Sequence, residues 1–351
     1  MKGSLSMGKR KNKKNKRNKK LLMKMVLFFV VFIGVIAIFS RSTEEKEKQT
    51  VWQEGSMLRI DDTQVDYREG LIYLNAVQEE YEQYYGNDIW KYSVDSTGNT
   101  MGSLIKQQVL EQIIYIKVVC RKADELAIVL SEEELLQVEE QTKSYMDKIK
   151  GSNLLLHGIN IDIARRIYAD NLLARKTFEV TTLNVDTNIP DEEAKQSRFQ
   201  TIAVRNYKID ASGKKVYYEG AELTDVLARV ESLRTQALTT DNFYKLATAN
   251  TEDATMLEIT GGEGDFPEEY ENKVLGLKAG QLSEVIATED YFYIFYCVTE
   301  FDEDATQAKK EEIILLRQEE EFERCYKEWK EQIEIEVNEE VWNTIGFNQI
   351  K

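Results

Sequence analysis

Residues 242–298 read NFYKLATANTEDATMLEITGGEGDFPEEYENKVLGLKAGQLSEVIATEDYFYIFYCV. Apolar spacing predicts a short helix over 244–249, a strand over 256–260, a helix over 267–275 and two strands over 283–288 and 291–300. Upstream, the periodicity shifts at Lys195, a turn falls at Asp210 to Lys214, and a further helix is expected over about 223–237. Residues 195–302 therefore read as a small α+β domain with an antiparallel sheet. Gly261-Gly262 lacks the Lys-Ser/Thr that a phosphate loop needs and reads as a tight turn.

Residues 57–190 carry a different pattern. Leu58, Ile60 and Val65 flank Asp61-Asp62, a strand and turn that lead into a helix starting near Asp66. A second helix over about 101–126 places Ile105, Val109, Ile113, Ile116, Cys120 and Ala123 at intervals of three and four, widened by Leu110 and Ile114, and should be central. Ser131 followed by Glu134 is a capping box that opens a third helix, and a fourth spans about 161–179. The tail, 303–351, reads as a helix over about 305–332 with Leu315, Phe322, Tyr326 and Trp329 on one face. Ile333, Ile335 and Val337 then alternate as a strand.

The chain has 351 residues, enough for two or three domains, with the apolar and charged fractions of a globular protein. Its charge is uneven. Residues 1–24 hold eleven of the 46 Lys and Arg and no acid, which leaves 35 basic against 62 acidic residues, a net −27, for the rest. After this basic tail comes LLMKMVLFFVVFIGVIAIFS, residues 21–40. At about 1.5 Å per residue its apolar run reaches roughly 28 Å, close to the ~30 Å of a bilayer core. We read 25–40 as a single-pass signal anchor, the apolar run beginning near 21. Its end, Ala37-Ile38-Phe39-Ser40, is a poor cleavage site. The Lys/Arg flank puts 1–24 in the cytoplasm and everything beyond about Arg41 outside the cell membrane. Residues 41–56 read as a tether. The basic run suits membrane topology better than nucleic acid, so no nucleic-acid partner is expected.

Cys120, Cys297 and Cys325 are too scattered for a disulfide framework and read as buried small apolar side chains. His157 is the one histidine and reads as structural or solvated. The many glutamates lie on polar helix faces, so no metal or cofactor is expected.

Phe243, Leu246, Ala247, Thr251, Asp253, Gly261, Gly262, Tyr270, Leu275, Leu277 and Gly280 follow in an order that resembles the parvulin class of peptidyl-prolyl isomerases. The helical pattern before them, with its L.I.LSEEE turn, resembles the N-terminal chaperone region of extracytoplasmic foldases of the PrsA and SurA type. The resemblance implies a first sheet strand at Arg198 to Val204 and a helical chaperone domain (57–190) completed by the terminal helix, with the parvulin-like domain as an insert.

It also implies a site. The two histidines of a parvulin pocket are replaced by Thr201 and Ile294, Thr251 and Asp253 match a common serine and an Asp or Cys, and Phe266, Tyr270, Leu275 and Tyr293 fall where a proline ring would be held. Thr201, Asp253 and Thr251 are the candidate catalytic residues. Asp253 also reads as an ordinary helix-end carboxylate, and the rings as ordinary core. The loop between Gly262 and Tyr270 is shorter than in the family. The implied function is a membrane-anchored folding factor whose partners are unfolded or proline-containing exported polypeptides. Its alternatives are a non-catalytic holdase and a cell-surface assembly adaptor.

Overall fold

The computed structural model describes residues 51–347; the basic tail and the apolar run at 21–40 lie outside them. Among the described residues no helix is long and apolar enough to cross a membrane. The chain is mostly helical with small antiparallel sheets, and it divides into two compact units: the described residues up to 184 together with those from 321 on, and residues 185–320.

In the first unit, β1 (Ser56–Ile60) and β2 (Thr63–Asp66) form a hairpin, and β9 (Ile335–Val337) pairs with β1 from the other side, Leu58 opposite Val337. Asp66 ends β2 and caps α1 (Tyr67–Tyr85) by accepting a hydrogen bond from the Arg68 amide at 2.8 Å. The central helix is α2 (Met101–Glu125): Ile105, Val109, Leu110, Ile113, Ile114, Ile116 and Ala123 are all buried, as the spacing predicts. Ser131 and Glu134 form the expected capping box of α3 (Glu132–Lys148), and α4 (Ile161–Thr181) follows. The long helix α9 (Glu303–Glu331) contributes Phe322 and Trp329 to this core, and α10 (Glu339–Thr344) adds Trp342. Trp90, in a short 3-10 turn, stacks on Phe347 with centroids 3.9 Å apart.

A polar cluster with a buried centre joins three helices of this unit. Glu69 of α1, fully buried, meets Lys117 of α2 at 2.6 Å and Arg166 of α4 at 3.2 Å, and Lys117 also meets Asp170 at 2.6 Å. Burial alone would lower the Lys117 pKa, but Asp170 and Glu69 together raise it, so the ammonium stays charged.

In the second unit, a short helical turn, α5 (Asp191–Ala194), leads into a sheet ordered β6 (Glu258–Gly261), β3 (Ser197–Arg205), β8 (Tyr291–Thr299), β7 (Ile286–Ala287). A separate hairpin, β4 (Tyr207–Ile209) and β5 (Lys215–Tyr217), turns at Asp210 to Lys214 as predicted. Helices α6 (Gly220–Ala237) and α7 (Phe243–Asn250) cover one face of the sheet through Val230, Leu233, Phe243 and Ala247, and α8 (Glu268–Leu275) lies on the other through Tyr270 and Val274. The strand expected over 283–288 is regular only at Ile286–Ala287, because the Ser283 hydroxyl accepts the Phe295 amide at 2.9 Å and displaces a ladder bond. The cysteines are free; Cys297 is buried as expected, whereas Cys120 and Cys325 are only partly so.

Candidate functional site

β3 and β8 pair from Arg198 to Arg205, with one register shift between Arg198 and Phe199, and their pleat sorts the candidate residues between two faces. Ile202 and Val204 with Phe292 and Ile294 point toward α6 and α7. Phe199 and Ala203 with Tyr293, Phe295 and Cys297 point the other way, and Thr201 shares their face by alternation. Thr201 is therefore opposite Phe295, not Ile294. This corrects the counterpart of the second histidine: Ile294 is fully buried beneath the helices, and Phe295 occupies the place beside Thr201. Both faces of YFYIFYCV are covered, so its sequence is apolar throughout and does not reveal which residues face which side.

The four proposed wall residues do converge. Phe266 and Tyr270 are 6.5 Å apart between ring centroids, Tyr270 and Tyr293 6.4 Å, and each of Phe266, Tyr270 and Tyr293 lies 5.7 to 6.2 Å from Phe295. Leu275 packs against the same cluster. Burial, then Tyr270 and Asp253, push the Tyr293 phenol up to about 12. Gly261 exists for the sake of this cluster: a Cβ there would sit 2.6 Å from the Phe266 ring. Gly262 is equally constrained, since its Cβ would meet the Lys195 carbonyl oxygen at 2.1 Å. The pair thus serves close approach rather than a turn that needs positive φ.

Thr201 contributes a buried hydroxyl for which no hydrogen-bond partner exists among the described residues. Its amide donates to the Leu257 carbonyl at 3.1 Å. Thr251 ends α7 and ties it to the sheet: its Oγ1 accepts the Ala203 amide at 3.1 Å and donates to the Asp253 carbonyl at 3.2 Å. Asp253 caps a 3-10 turn, accepting from the Thr255 amide at 3.0 Å and hydroxyl at 2.6 Å. The helix-end role of its carboxylate is thus occupied, yet its charge still helps raise Tyr291 and Tyr293. Phe199 and Phe295 belong to the site and were not singled out in the sequence. The spacing of two among Tyr291, Tyr293 and Phe295 was the available signal.

The family model for the SurA-like N-terminal domain matches residues 10–152, which take in β1, β2 and helices α1 to α3. The match bears out the resemblance of the helical region to a SurA-like N-terminal domain. No curated protein sequence matches the chain. Among solved structures, the peptidylprolyl isomerase PrsA of Bacillus cereus is 15% identical, with 73% of this chain and 96% of that one covered at a TM-score of 0.33. The foldase protein PrsA of Streptococcus pneumoniae is 18% identical, with 74% and 99% covered at 0.32. A SurA-like chaperone of Campylobacter jejuni is 11% identical, with 81% and 98% covered at 0.29.

Proposed function

We propose that this protein is a membrane-anchored extracytoplasmic folding factor that holds unfolded exported polypeptides. In this reading residues 25–40 anchor the chain, with the N-terminus cytoplasmic, and 195–302 form a parvulin-like domain inserted in the helical one. The observation that carries the reading is the SurA-like N-terminal domain over 10–152. The ring cluster of the second unit, buried at Phe199, Tyr270, Tyr293 and Phe295 and half-buried at Phe266 and Leu275, would hold a proline ring once its rim opens.

Prolyl isomerisation needs no covalent step. The barrier of about 18–20 kcal/mol falls when a site binds the twisted amide more tightly than either planar form. Here Phe266, Tyr270, Leu275 and Tyr293 would hold the ring, and the Thr201 hydroxyl, fully buried and without a partner among the described residues, would hydrogen-bond the turning amide only once the cluster opens. Phe295 stands where a second polar group would help. Client holding is therefore the primary activity and isomerisation a slow one. The test is paired: the full-length chain should suppress aggregation of an unrelated unfolded protein and accelerate prolyl exchange weakly in a peptide. Unchanged aggregation would sink the holding role, and exchange at the buffer rate would remove catalysis.

A further inference from the structure

Of the rings proposed to hold a proline, Tyr270 comes from α8 and Tyr293 from β8, and both are buried. Phe266 is half-buried and comes from the loop between β6 and α8, so it can move without breaking a strand ladder or a helix. Its centroid lies 5.8 Å from Phe199, 6.2 Å from Phe295 and 6.5 Å from Tyr270, and its ring edge rests on the bare backbone of Gly261. Phe266 therefore fills the rim of the cluster.

Two carboxylates hold this loop in place. Asp265 accepts the Gly262 amide at 2.9 Å and the Gln196 side-chain amide at 3.1 Å, and it lies 3.7 Å from the Lys309 ammonium. Glu271 of α8 accepts the Gly264 amide at 2.6 Å. Burial works against the Asp265 carboxylate, but the Gly262 amide, Gln196 and Lys309 outweigh it and hold its pKa below the usual value. Asp265 also borders an open groove of about 350 Å³ lined by Thr260, Ala305, Ala308 and Lys309, so on that side it faces open space.

We propose that residues 262–267 form a gate over the proline site, with Phe266 as the leaf that fills it when closed and Asp265 and Glu271 as the latches that set how often it opens. The inference rests on the proline-binding reading above and adds the route by which a client reaches the site. Opening uncovers Phe199 and Phe295, the rings that Phe266 touches, and with them the sheet face that carries Thr201. Asp265 and Glu271 act through Phe266 and are positioning residues. Only the open form takes a client proline, so the apparent affinity is the intrinsic affinity scaled by the open fraction. Removing a latch therefore tightens binding, the reverse of what damage to a preformed site does.

The test measures binding of a labelled peptide with one X-Pro bond to the full-length chain by fluorescence anisotropy, alongside thermal melts. Asp265→Ala and Glu271→Ala should each melt earlier yet bind the peptide about tenfold more tightly, since each loses a hydrogen bond to a charged acceptor that favours the closed form. Gly261→Ala reaches the same end with both carboxylates intact: its Cβ would sit 2.6 Å from the Phe266 ring and displace it, so it too should tighten binding. A control peptide with alanine in place of proline should gain nothing from any of the three. If the intact chain binds the proline peptide and all three variants bind it equally or more weakly, the gate is overturned and the proline site stands. An equal gain for the alanine peptide assigns the change to exposed apolar surface and also overturns the gate. Failure of the intact chain and of every variant to bind overturns both the gate and the proline site.

Discussion

At Thr201 a hydroxyl is sealed into a sheet face otherwise lined by Phe199, Ala203 and Phe295. Leaving such a group unpaired costs about 1–3 kcal/mol. Thr201→Val keeps the shape and removes the hydroxyl, so it should raise the thermal midpoint of the second unit while abolishing whatever prolyl exchange the full-length protein accelerates. A gain in stability with unchanged exchange would strip Thr201 of its role. Tyr293 supplies a second residue-scale signature. Its phenol is pushed up to about 12 by burial and then by Tyr270 and Asp253. Folding therefore favours the protonated form: the stabilisation is complete below the unfolded tyrosine pKa near 10 and is lost as pH rises to about 12. Ultraviolet titration should show a late phenolate step that Tyr293→Phe removes, and a denaturation midpoint that falls across that window.

Among the elements, the buried Lys117 cluster joins α1, α2 and α4. Lys117→Met leaves the Glu69 and Asp170 carboxylates without their shared cation and should cost roughly 3–5 kcal/mol. The Glu69→Met/Lys117→Met double variant should cost less than the sum of the two single changes, which chemical denaturation of the four proteins would measure. Most of these elements are legible in the sequence. The capping box at Ser131 and Glu134 and the period of α2 are local signals, and they hold because packing agrees with them. What the sequence hid was non-local. The face of Ile294 depends on which side α6 and α7 choose, and the interruption at Ser283 depends on a hydroxyl reaching a strand twelve residues away. Gly261 and Gly262 were legible as special but for a different reason, since the ring and carbonyl that crowd them come from elsewhere in the chain.

In the molecule as a whole, the first unit is assembled from both ends of the described chain. Phe322, Trp329, Trp342, Ile345 and Phe347 belong to its core, and β9 closes one side of β1. Deleting 321–351 should leave the remaining part of this unit without a cooperative melt and open to limited proteolysis; a truncated protein that melts as the intact one does would contradict this. The proposed proline site lies wholly within 185–320, whereas the SurA-like match that carries the holding role lies in the other unit, so the two proposed activities should be separable by mutation.

The pairing of β1 with β9 also sets a timetable. Arg59 and its partner Glu336 are 277 positions apart, and synthesis at about 5–20 residues per second puts roughly 15–60 s between their appearances. For that interval one edge of β1 waits without its neighbour, while the second unit, contiguous in the chain, has already emerged. A protein read here as a guardian of unfinished chains is thus itself unfinished until the residues from 321 on have been made and the first unit can close.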